Sequence, residues 1–130
     1  MRVIARKENY KYLDDALNIF SKYESNRDNF IKNMIINTEL NVFSVYAAGE
    51  HTKYLIEEFD ILDKVDYFID SDIKKHGKSF FGKLIISPEE IKKKNIINIL
   101  ISSHDFEYEI YSKLKVMFPY LNLMTIYNKY

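Results

Sequence analysis

The stretch VFSVYAAGEHTKYLIEEFDILDKVDYFID, residues 42–70, decides the fold. It begins with Val42-Phe43-Ser44-Val45-Tyr46-Ala47, a short β-rich run that ends at Ala48-Gly49. Branched and aromatic side chains of this kind fit a pleated, half-buried surface. From Thr52 the spacing changes, and Leu55, Ile56 and Phe59 recur at helical intervals. Val65-Asp66-Tyr67-Phe68-Ile69 reads as a second strand, closed by Asp70. The stretch is a β-α-β unit, and such units pair their strands in parallel through a right-handed crossover.

Downstream the pattern continues. Phe80-Phe81-Gly82-Lys83-Leu84-Ile85-Ile86 is expected to form a third, shorter strand. Ser87-Pro88-Glu89-Glu90 has the N-cap serine, the first-position proline and the glutamate three residues on that make a capping box, so a short helix should open there. Ile96 to Ile101 is apolar apart from Asn98, as a central parallel strand requires. Ser102-Ser103-His104-Asp105 is expected to open a helix carrying Ile110, Leu114, Met117 and Phe118, stopped by Pro119. Leu121 to Tyr127 makes the last strand. The fold class is α/β, with an open, mostly parallel five-stranded sheet in the order 3-2-1-4-5.

Upstream, residues 1–38 contain no Gly or Pro. Leu13, Ala16, Leu17, Phe20 and Tyr23 share one helical face. After the polar stretch from Glu24 to Asp28, Phe30, Ile31, Met34 and Ile35 mark a second helix. The expected organisation is an N-terminal α-helical hairpin over 1–38 and an α/β domain over 39–130. A lone helical pair cannot bury both apolar faces. It is therefore expected to dock on the next domain, on a second copy of the chain or on a partner protein.

Composition bounds the function. The 130 residues are 47% hydrophobic, with 19 Lys+Arg against 19 Asp+Glu. That balance argues against a dedicated nucleic-acid binder, which is usually basic. The absence of Cys excludes disulfides, thiolate nucleophiles and Cys-ligated metals. The N-terminus shows no signal-peptide pattern, and the apolar runs fall far short of the roughly 18 residues of a membrane span. The expected setting is the cytoplasm, without membrane contact.

Open parallel sheets bind ligands beyond the carboxyl ends of their strands, where the strand order reverses. The first such turn is Tyr46-Ala47-Ala48-Gly49-Glu50-His51-Thr52. Gly49 would let a phosphate approach the backbone, and the helix start would favour an anion. Asp70 follows Gly49 by 21 residues, a spacing that suits a carboxylate accepting from a ribose hydroxyl. Against G-x-G-x-x-G the chain offers only Ala47, Gly49 and Thr52, a poor fit to a dinucleotide. The plain alternative is a tight turn and a strand-ending acid with no ligand.

His51 and His104 are expected to begin two different helices and to face one crevice, where they would contact a phosphate or sugar or move a proton. Ser71, Ser102 and Ser103 are further hydroxyl donors to a ligand, although N-capping would explain one of the last two. Ser-His-Asp in direct succession is not a catalytic triad, because triad members meet across a fold.

The segments from Val45 to Thr52, from Phe68 to Asp72 with Gly77, from Gly82 to Glu90 and from Ile101 to Ser103 together resemble a Rossmann-like domain. It is common among bacterial surface-polysaccharide and sugar-nucleotide gene products. The chain is similar to the N-terminal domain of sugar acyltransferases that carry a left-handed β-helix, and to the C-terminal domain of some sugar methyltransferases. The resemblance covers about two-thirds of the chain. It implies that Gly49, His51, Asp70 and Ser102 surround a nucleotide sugar, such as a uridine diphosphate sugar. Ala47 stands where a glycine is expected, and neither the β-helix nor an S-adenosylmethionine loop is present. The leading expectation is a module that binds a nucleotide or nucleotide-linked sugar without independent catalysis. The alternatives are an interaction or oligomerisation module with a vestigial crevice, and a small sugar-nucleotide-modifying enzyme using His51 or His104.

Overall fold

A computed structural model describes residues 42–130. The expected helical hairpin over 1–38 lies outside the described residues. Strands β1 (Phe43–Tyr46), β2 (Val65–Ile69), β3 (Ser79–Phe80), β4 (Lys83–Ile86), β5 (Asn98–Ile101) and β6 (Asn122–Met124) form one sheet. Helix α1 (Glu50–Phe59) follows β1, and helix α2 (Glu107–Met117) follows β5.

The sheet order is β3-β4-β2-β1-β5-β6. All neighbours pair in parallel except β3 with β4. The sheet thus has six strands rather than the expected five. The extra one arises because the segment around Gly82 folds back on itself. Phe81 and Gly82 take φ values of +51° and +81°. Two successive positive φ values reverse a chain as a tight hairpin turn does. The five parallel strands keep the relative order 3-2-1-4-5.

Three further boundaries differ from the sequence reading. The capping box at Ser87 forms, with the Ser87 amide donating to Glu90 Oε2 at 3.2 Å, but it opens only a 3₁₀ turn over Pro88–Glu90. The chain then turns through Asn95, a left-handed residue with φ +58°, and enters β5. His104 does not begin a helix. The Phe106 amide donates to Ser103 Oγ at 3.1 Å, which holds 103–106 in a turn and delays α2 to Glu107. The last strand ends at Met124, because the next residues are drawn to a buried carboxylate described below.

Burial explains the layering. Tyr46, Ile69, Ile86 and Ile99 form one core cluster with Ile91, Ile96, Leu121 and Leu114 of α2. Their strand neighbours Val45, Phe68, Ile85 and Leu100 are equally buried and point to the opposite face. Leu55 and Ile56 are the buried apolar residues of α1, and a right-handed β1–α1–β2 crossover sets them on the face opposite α2. Chain order runs from β1 outward to β2 and β4, then returns to β5 and β6 on the other flank. The order therefore reverses between β1 and β5.

Candidate functional site

Tyr46, Ile69 and Ile101 end β1, β2 and β5, and both Ile69 and Ile101 are in register with Tyr46. The three following loops therefore leave the sheet at one level. They enclose an open cavity of about 860 Å³, within the range of small-molecule sites. Of the residues expected to meet a ligand, Gly49, Glu50, His51, Asp70, Ser71, Ser102, Ser103 and His104 all line it. Thr52 does not. It is fully buried behind the wall, with its hydroxyl 2.6 Å from the Ala47 carbonyl.

The turn after β1 departs from its expected basis. Gly49, the N-cap of α1, has φ −139° and ψ −162°, a backbone any residue adopts. A Cβ built there meets nothing within 4 Å. The glycine answers no steric demand of the fold and leaves open space at the helix start. Strain falls instead on Ala47, whose φ is +94°. The Ala47 amide donates to Ile69 O at 2.6 Å, which holds it there. Such a residue costs on the order of 1–3 kcal/mol, so Ala47→Gly is expected to stabilise the protein by about 1 kcal/mol in denaturant unfolding, after the extra chain entropy of glycine.

Asp70 clamps this turn. Its Oδ2 accepts from the Ala48 amide at 2.9 Å, and its Oδ1 accepts from the Asp72 amide at 2.9 Å. Lys75 Nζ lies 3.6 Å from Oδ2 and donates to the Ala48 carbonyl at 2.9 Å. His76 Nε2 donates to the Asp70 carbonyl at 2.5 Å. A carboxylate has about four acceptor positions, so Asp70, at 14% exposure, keeps capacity toward the cavity.

His51 occupies the centre of a chain of hydrogen bonds. Its Nδ1 lies 2.7 Å from Ser102 Oγ, and its Nε2 lies 2.6 Å from Tyr127 Oη. The Ser102 and Thr52 hydroxyl oxygens are 2.7 Å apart. Thr52 has one hydroxyl hydrogen, and the Ala47 carbonyl can only accept, so that hydrogen goes to Ala47. Ser102 then donates to Thr52 and accepts from His51 Nδ1–H. Nε2 faces the Tyr127 hydroxyl, which can either donate or accept. With its Nδ1–H directed at Ser102, the ring cannot draw a proton from that hydroxyl. Ser102 is also only 1% exposed. His104 packs differently. Its ring meets the Tyr127 ring edge-on at 4.6 Å, and its Nδ1 pairs with Asp105 Oδ1 at 2.9 Å.

Sequence reasoning missed what holds Tyr127. Glu107, the first residue of α2, is 1% exposed. Its Oε2 accepts from the Ile126 and Tyr127 amides, each at 2.9 Å. Its Oε1 accepts from the Asn128 amide and the Tyr130 hydroxyl, each at 3.0 Å, and from Asn128 Nδ2 at 3.3 Å. One carboxylate thus gathers the segment that carries Tyr127. An acidic residue in a first helical turn ordinarily complements the helix dipole at the surface, so nothing in the pattern flags this one as buried. Phe106 and Lys113, also on the cavity wall, were missed as well.

Tyr46 lines the cavity floor, and its ionisation is pushed above the ordinary tyrosine range, chiefly by burial and then by the Asp70 charge. Raising a phenol in the folded state gives stability that is complete below pH 10 and lost as pH rises through the folded value. Tyr46→Phe is therefore expected to flatten part of the alkaline fall in stability, measured by denaturant melts across that range.

Among the described residues, no three His, Asp or Glu are placed to hold a metal ion. No described helix is long and apolar enough to cross a membrane. No protein-family model matches the chain, and no curated protein matches it. A solved structure, that of UDP-D-quinovosamine 4-dehydrogenase from Vibrio fischeri, is similar with a TM-score of 0.51 and 24% identity. The likeness covers 65% of this chain and 76% of that one. It shows the fold, a Rossmann-like α/β domain.

Proposed function

We propose that the domain binds a nucleotide or nucleotide-linked sugar in surface-polysaccharide or sugar-nucleotide metabolism, and that it does so without catalysis of its own. The observation that carries this reading is the switch-point cavity itself. It brings the open Gly49 turn at the start of α1 together with the Asp70 carboxylate. The amides of the first turn would take the phosphates, and Asp70 a ribose hydroxyl. Lys75 offsets the Asp70 charge beside that position. The solved neighbour with this fold is named for a UDP-sugar. The resemblance to domains of sugar acyltransferases and methyltransferases points the same way.

The non-catalytic part of the reading is supported by His51. Both ring nitrogens are engaged by protein hydroxyls, and a general base needs one turned to the substrate. Titration with uridine diphosphate and its sugar derivatives, followed by amide NMR, tests the proposal. Shifts centred on Gly49 and Asp70 are expected. Unmoved resonances at millimolar ligand would remove the reading.

A further inference from the structure

The cavity lining falls into two halves by element, one from the loop after β2 and one from the segment after β5. Asp70, Ser71 and Lys75 stand on the β2 side. On the β5 side stand His104, Asp105, Phe106, Glu109, Ile110 and Lys113. The second half combines two features. Phe106 is 59% exposed although it is a large aromatic, and Ile110, one helical turn further along α2, continues its apolar strip on the cavity wall. Beside this strip are the exposed carboxylates of Asp105 and Glu109.

Carboxylates repel phosphate but accept hydrogen bonds from hydroxyls. A neutral group with hydroxyls along its edge and a C–H face fits this pairing of aromatic and acid. A second phosphate would meet two carboxylates there against the single cation of Lys113. We propose that Phe106 and Ile110 form the platform for the sugar of a nucleotide-linked sugar, with Asp105 and Glu109 receiving its hydroxyls. This rests on the nucleotide-sugar reading above and adds the direction of the ligand. The nucleoside lies toward β2, the diphosphate at the α1 start and the sugar toward α2.

Calorimetric titration of the full chain with uridine diphosphate and with uridine diphosphate N-acetylglucosamine tests the assignment. The wild type is expected to bind the sugar derivative more tightly. Phe106→Ala is expected to weaken that ligand by about fivefold, as loss of an aromatic contact does, while leaving uridine diphosphate unchanged. Retained affinity for uridine diphosphate also reports that the variant is folded. Equal wild-type affinity for the two ligands, or equal weakening of both by Phe106→Ala, would overturn the platform and leave the nucleotide reading standing. Absence of binding to either would overturn both.

Discussion

Replacing Glu107 by alanine is expected to lower stability by about 3 kcal/mol, because hydrogen bonds to a charged group are worth roughly 1.5–3 kcal/mol each and those lost here are not additive. The carboxylate accepts from three consecutive backbone amides, the Asn128 side chain and the Tyr130 hydroxyl. Truncation leaves those donors without an acceptor, and they regain one only if residues 126–130 peel away into water. Tyr127 moves with them and releases His51 Nε2. The expected signature is a lower unfolding midpoint together with a change in the His51 ring nitrogen shifts. Glu107→Gln is expected to fall between the two. It keeps the volume but replaces one acceptor oxygen with an NH₂ group facing donors. A Glu107→Ala protein as stable as wild type, with unchanged His51 resonances, would contradict this account of the C-terminal segment.

Gly49→Asp should separate folding from binding more sharply than any other single change. The backbone at Gly49 already has N-cap geometry, no side chain caps the helix, and a Cβ there meets open space. Aspartate is among the best N-cap residues, so stability should rise by a few tenths of a kcal/mol. The same carboxylate would stand where the phosphates are proposed to lie. Two unit charges about 4 Å apart near a protein surface repel by about 4 kcal/mol, so nucleotide affinity should fall at least about a hundredfold. Paired denaturant melts and ligand titrations read both effects. Unchanged affinity would place the ligand elsewhere.

Residues 42–70 made most of the α/β architecture legible, because a buried parallel strand, a glycine-marked turn and an amphipathic helix each leave a local pattern. The β5 strand was legible for the same reason, from an apolar run with one interruption. The β3–β4 hairpin was not. Its turn is Phe81-Gly82, and a phenylalanine at positive φ is an unusual choice for that position. The short extent of the capped turn at Pro88 also escaped the sequence, since a capping box marks where a helix begins and not where it ends.

The cavity wall was readable where residues follow strand ends directly, as Gly49, His51, Asp70 and Ser102 do. Glu107 and Tyr127 were hidden. They meet across 20 residues of chain, and their roles depend on burial and hydrogen bonding that no periodicity encodes. Phe106 carries no signal of its own in the sequence pattern. Its exposure on the cavity wall is a tertiary property. Ala47 marks the opposite case. The sequence showed an alanine in place of glycine, and the structure shows the positive φ that makes the exchange strained.

A crystal structure of the protein with uridine diphosphate tests the central claim most directly. The expected result is the nucleotide in the cavity beyond the ends of β2, β1 and β5, its phosphates at the Gly49 turn and its ribose at Asp70. A nucleotide bound at any other surface, or a cavity left empty at millimolar ligand, would contradict the account.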